Sequence, residues 1–221
     1  MPVLVELFTS EGCSSCPAAD RLLARLAAEQ PVSGALVVPI AFHVDYWNRL
    51  GWDDPFSSAA FTRRQSAYAA LLGNDGDIYT PQMIVGGRTE FVGSDERDAR
   101  RAIEAAAKQA RAFVRVFPAD ASTARVSVTG VAAGADVTLA VIEDGLVSDV
   151  TRGENAGKRL THTAVARDLV EAGAVDAAGR FHASVPFRSG PGVRRIFAFV
   201  QDRATGRILG VSVPAQLPRP R

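Results

Sequence analysis

The apolar positions of this chain follow two regimes. Up to about residue 112, strand-like runs alternate with helical ones. Val3-Leu4-Val5-Glu6-Leu7-Phe8 is apolar and partly β-branched. Ala19, Leu22, Leu23, Leu26 and Ala27 then recur at the 3.6-residue period and predict a helix over about 14–29. Pro17 falls in its first turn, where a missing N–H costs little. Residues 36–42 are continuously apolar, as in a parallel strand buried on both faces. Strand, helix and strand in this order make a right-handed unit whose working edge is the carboxyl end of its strands. Asp53-Asp54-Pro55 predicts the next helix start, with Asp54 as cap, and Phe61, Tyr68 and Leu72 mark its buried face. Gly73-Asn74 ends that helix and 74–77 form a turn. A strand follows over 82–85, headed by Thr80-Pro81, a candidate cis peptide bond. Gly86-Gly87 turns it back through 89–92. Ser94 is the expected cap of a last helix running to about 112, whose buried stripe is nearly all alanine around Ile103.

Beyond residue 112 the helical signal fades. Short alternating runs predict strands over 113–117, 124–129, 137–142, 181–187, 196–201 and 208–213, with 161–172 also read as strand. Glycine-bearing turns separate them, at 133–134, 144–145, 178–179, 189–192 and 205–206. The expected architecture is an α/β domain over 1–112 followed by an all-β sandwich over 113–221. Pro118 lies near the junction without a long linker, so the two are expected to be docked.

Composition narrows the function classes. The chain is 47 % apolar with net charge +1, which supports a packed core and gives no sign of a nucleic-acid partner. The first half carries −3 and the second +4, a mild asymmetry. The longest apolar run, 35–42, is far short of the roughly 20 residues of a membrane helix. The N-terminal run lacks a basic start and is interrupted by Glu6, so it is not read as a signal peptide.

The chemistry lies in the only two cysteines, Cys13-Ser14-Ser15-Cys16, at the junction of the first strand and helix. A helix start carries free N–H groups and partial positive charge, which favour a thiolate. A bridge closing so small a ring stabilises a fold by roughly 2 kcal/mol at best. A structural zinc site takes about four ligands, and there is no second cysteine pair. Redox exchange is the leading reading. Metal capture by Cys13 and Cys16 with His43 or Met83, suited to copper(I), stays open, as do a structural bond and a non-catalytic module in which the β-sandwich recognises an envelope component. The segment His43-Val44-Asp45-Tyr46-Trp47 leaves the second strand at the same edge. It offers His43 and Asp45 as modulators and Trp47, with Trp52, as walls of a peptide groove. Glu11, two residues upstream, opposes the thiolate at Cys13. His162 and His182 read as surface or strand residues.

The order of elements, with Cys13-Ser14-Ser15-Cys16 and Thr80-Pro81, resembles the thioredoxin fold over 1–112. More closely, the runs 6–17, 43–47 with 50–52, and 79–82 look like a bacterial family of mostly secreted or periplasmic proteins named domain of unknown function 1223. In the second half, 152–157, 201–202 and 205–210 extend that likeness. The resemblance implies an extracytoplasmic location and a redox-active Cys13–Cys16 disulfide with no other cofactor. It also implies a protein or peptide thiol substrate and a redox partner protein. Cys13 would be the nucleophile and Cys16 the resolving thiol. Glu6 resembles the buried acid that serves the second cysteine of thioredoxin, and Thr80-Pro81 would present backbone to an extended substrate. The extra strand and helix that thioredoxin carries ahead of its cysteine-bearing strand are missing here.

Overall fold

Strand β1 (Pro2–Thr9) is the axis of the first half. It pairs in parallel with β2 (Leu36–His43), from Pro2 opposite Leu36 to Thr9 opposite His43. On its other side it pairs antiparallel with β3 (Gln82–Val85), which turns back into β4 (Thr89–Val92). A computed structural model describes residues 1–73, 77–109, 112–188, 190–192 and 194–217. The expected 74–77 turn therefore falls largely outside the described residues, and Ser189 of the 189–192 turn also lies outside them.

Period-two alternation divides β1 between two cores. Val3, Val5 and Leu7 pack against Leu22, Leu23 and Leu26 of α1 (Cys16–Glu29) and the alanines and Ile103 of α3 (Glu96–Ala107). Leu4 and Phe8 face the other way, against Phe61 and Tyr68 of α2 (Ala59–Leu72). Two helix starts differ from expectation. Helix α2 begins after Ser58, whose hydroxyl accepts from the Ala60 N–H at 3.2 Å, because Asp54 is drawn into a buried pair described below. Helix α3 is capped by Asp95, which accepts from the Asp98 N–H at 2.9 Å, one residue after Ser94.

The second half contributes β5 (Phe113–Pro118), β6 (Thr123–Thr129), β7 (Ala135–Glu143), β8 (Leu146–Asp149), β9 (Arg159–His162), β10 (Val165–Ala174), β11 (Phe181–Pro186), β12 (Arg194–Asp202), β13 (Ile208–Val211) and β14 (Ala215–Gln216). The 161–172 stretch is broken at Ala164, which takes a left-handed φ of 54°. Its N-terminal part forms with β8 a separate two-stranded ribbon. That ribbon carries too few apolar residues to stand out in the sequence.

One nine-stranded sheet runs β13-β12-β7-β10-β2-β1-β3-β4, with β14 also on β12. The halves meet where β10 runs beside β2, with Val165 opposite Ala41 and the Ala41 N–H donating to the Ala164 carbonyl at 2.8 Å. A three-stranded sheet, β11-β6-β5, covers β7 and β12 through Val116, Val126, Val128, Leu139, Ile196 and Ala198. The opposite face of β7 and β12 shares a core with the first half, joining Ile142, Phe197 and Phe199 to Phe8, Phe42 and Tyr68. Among the described residues no helix is long and apolar enough to cross a membrane.

Candidate functional site

Cys13 and Cys16 are joined by a disulfide at the first turn of α1, with a Cα–Cα distance of 5.4 Å. The loop that carries them is closed by backbone bonds from the Cys13 N–H to the Ser10 carbonyl and from the Cys16 N–H to the Cys13 carbonyl, each 3.2 Å. Ser14 and Ser15 are exposed, but Cys13 is only 1 % exposed and Cys16 fully buried. The Ser15 hydroxyl lies 3.3 Å from the Cys13 Sγ, within reach to donate to it.

Behind this loop, on the α1 side of the sheet, five ionisable side chains gather. His43 Nδ1 is 2.7 Å from Asp54 Oδ2, and that same oxygen accepts the Glu11 backbone N–H at 2.9 Å. The Glu11 carboxylate meets His162 Nε2 at 2.8 Å and accepts the Trp52 indole N–H at 2.8 Å. The two imidazoles pack edge to face at 4.8 Å, each also against Phe56. Asp20, one helical turn after Cys16, accepts from the Thr9 hydroxyl at 2.9 Å. Burial raises the Asp20 pKa, against the opposing charges of His43 and His162. Burial alone would lower the His43 imidazole, but Asp54, with Asp20 and Glu11, more than offsets it, so His43 titrates above its ordinary value. Burial would raise the Asp54 carboxyl, yet His43 and the N–H groups of Glu11 and Phe56 hold it below. Among the described residues, His43 Nε2 and His162 Nδ1 have no hydrogen-bond partner.

The second half completes the site through the loop between β8 and β9. Asn155 is buried there, and its amide donates to the carbonyls of Glu11 at 2.8 Å and Cys13 at 2.9 Å. Lys158 Nζ donates to the Asn155 Oδ1 at 2.8 Å. Glu154, beside it, accepts the Ser14 backbone N–H at 2.9 Å. Bonds from the Ser14 side chain and backbone lower the Glu154 pKa. His162 is a correction to the sequence reading: it is 2 % exposed and paired with Glu11, because the ribbon folds β9 over the cysteine loop. His182 is exposed on β11.

The remaining sequence candidates divide by position. The Thr80–Pro81 bond is cis, and the Trp47 indole N–H donates to the Thr80 hydroxyl at 2.8 Å. Trp47 and Trp52 thus hold the β3 approach and Glu11 from either side. Asp45 accepts from the Thr62 hydroxyl at 2.5 Å and ties its loop to α2. Met83 is fully buried in the apolar core under α1 and α3. Glu6 shares the β1 face of Leu4 and Phe8, opposite the face covered by α1. Its carboxylate accepts from Arg64 Nε at 2.7 Å and the Tyr68 hydroxyl at 2.6 Å. Among the described residues, no group of three or more His, Cys, Asp or Glu is arranged to hold a metal ion.

The sequence reading missed Asp20, Glu154, Asn155 and His162 as site residues, and gave Asp54 only a capping role. For Asp20 a signal existed: a carboxylate four residues after Cys16, next to the apolar stripe of α1. For Asn155 and His162 the contacts span more than 140 positions, and no local pattern carries them.

A search among curated proteins finds no match. Among solved structures, the crystal structure of protein AGR_C_4864 from Agrobacterium tumefaciens is similar at 27 % identity and a TM-score of 0.76, covering 97 % of this chain and 93 % of that one. The chicken interferon gamma receptor alpha chain aligns with a TM-score of 0.29 at 12 % identity, over 63 % of this chain and 64 % of that one, too weakly to carry an argument. A family model described as "Protein of unknown function (DUF1223)" matches residues 4–201. The chain belongs to that family.

Proposed function

We propose that this protein is a thiol–disulfide oxidoreductase acting on protein or peptide thiols in an extracytoplasmic compartment. On this reading residues 1–112 are a thioredoxin-like domain and 113–221 a β-sandwich domain that contributes to the site. The observation that carries the reading is the Cys13–Cys16 disulfide at the start of α1, where the helix's partial positive charge favours a thiolate. An oxidising compartment fits a bond that persists.

In the oxidising direction a substrate thiolate attacks the Cys13 Sγ. A substrate–Cys13 disulfide forms, the Cys13–Cys16 bond breaks, and Cys16 leaves as a thiolate that takes a proton. A second substrate thiol loses its proton and its sulfur attacks the substrate sulfur of that mixed disulfide. The substrate disulfide forms and Cys13 leaves reduced. Reduction of a substrate runs these steps in reverse. The Ser15 hydroxyl supports a Cys13 thiolate. Asp20 is the better placed acid for Cys16, one turn along α1 and raised by burial, while the Glu6 carboxylate is taken up by Arg64 and Tyr68.

The test is redox equilibration of the full chain in glutathione buffers, read by alkylation and mass. A two-electron transition between about −120 and −270 mV is expected, the range of working exchange proteins. Cys13→Ser is expected to abolish exchange and Cys16→Ser to trap a mixed disulfide. A bond that stays oxidised below about −300 mV would instead be structural.

A further inference from the structure

A cleft of about 630 Å³ opens beside the disulfide. Ser14 and Ser15 of the redox loop, Arg21 of α1 and Ser94 line one side, and Lys158 and Arg159 of the second half line the other. Three of its lining residues are cations and none is a carboxylate. This stands against the net charge of −3 on the first half: the redox edge of the more acidic half is faced with basic side chains, two of them supplied from the second half.

These charges are available to a ligand. Arg21 is exposed and forms no ion pair among the described residues. Lys158 bonds a neutral acceptor, the Asn155 amide oxygen, and so keeps its full charge. Arg159 pairs with Asp149 at 3.0 Å, but with side chains 70 % and 71 % exposed. A pair so exposed is held by less than about 1 kcal/mol and yields readily to another anion. The nearby Glu154 accepts the Ser14 N–H and keeps its own charge, so it offsets one of the three cations. The amino end of α1 adds its partial positive charge.

Resting on the thiol–disulfide reading, we infer that this cleft is the substrate-docking subsite and takes an acidic peptide segment flanking the reacting cysteine. The basic walls steer such a segment to the redox loop and hold it while sulfur exchange proceeds.

The test uses the full-length protein and three synthetic peptide disulfides, identical except for flanking pairs of glutamate, serine or lysine. Second-order exchange rates are measured at low and high salt. At low salt the acidic peptide is expected to react on the order of tenfold faster than the basic one, and salt is expected to compress that ratio. Arg21→Glu combined with Arg159→Glu is expected to reverse the preference. Equal rates for all three peptides, or a preference unchanged by salt and by the double variant, would overturn the inference while leaving exchange itself standing. No exchange with any peptide overturns both the inference and the reading beneath it.

Discussion

His43 and Asp54 are both shielded from water, and neither is stable there alone. An imidazolium and a carboxylate each lose several kcal/mol of hydration on burial, and only their short contact and the extra N–H groups on Asp54 offset it. Asp54→Asn strands the imidazole, and an equilibrium urea titration is expected to show a loss of about 3 kcal/mol. The pH dependence has a defined sign. The His43 pKa is raised in the folded chain, so its contribution is complete below the ordinary value of 6.5 and is lost as pH rises through the raised value. The Asp54 pKa is lowered, so its contribution is complete above 3.8 and is lost as pH falls through the lowered value. Asp20, raised by burial, loses its advantage as pH rises, in the same sense as His43. Unfolding measured at about pH 6 and about pH 9 is therefore expected to show lower stability on the alkaline side. His43→Gln is expected to flatten that decline. A decline of equal size in the variant would remove His43 as its cause.

The β8–β9 loop is the element that couples the second half to the thiols. Gly153 and Gly157 bracket the buried Asn155 at φ of 73° and 81°, a left-handed backbone that glycine adopts without strain. Between them Asn155 is inserted beneath the cysteine loop, donating to two of its carbonyls. On the exchange reading, an incoming sulfur reaches Cys13, only 1 % exposed, once these Asn155 bonds are released. Each of the two hydrogen bonds is worth about 1 kcal/mol, so Asn155→Ala eases opening by about thirtyfold. The rate of disulfide reduction by glutathione is expected to rise by up to that factor. An unchanged rate would mean that the loop does not limit access.

At the scale of the whole molecule, the halves share a sheet and a core. Phe197 and Phe199 of β12 belong to the same buried cluster as Phe8, Phe42 and Tyr68. Both tryptophans, Trp47 and Trp52, lie in the first half, and Trp52 sits beside Gly153 of the β8–β9 loop. Phe197→Ala is expected to cost about 3–5 kcal/mol. It is also expected to lower the midpoint of the tryptophan-monitored transition, although the substitution is in the other half. An unchanged midpoint would show two halves that unfold independently.

Local pattern specifies the elements of the first half, because each rests on interactions within a few residues. The helical stripe from Ala19 to Leu26, the apolar run into β2, the Gly86-Gly87 hairpin and the alanine face of α3 are all read from periodicity. The cysteine pair was likewise legible from spacing, and residue type marked Thr80–Pro81 as a candidate cis bond whose isomer only the structure shows. Tertiary structure alone decided what surrounds the thiols. Asp54 is a helix cap by local rules, but His43 and the Glu11 N–H draw it into the interior, since a buried charge takes the partner that best replaces water. Glu6 and Asp20 are both single carboxylates in apolar stretches, and only the alternation of β1 beneath α1 and α2 sets Glu6 against Arg64 and leaves Asp20 on the thiol side. His162 and Asn155 reach the site through β10 pairing on β2 and the ribbon folding back over the cysteine loop. Contacts closed across so much chain depend on how sheets join, which no run of neighbouring residues records.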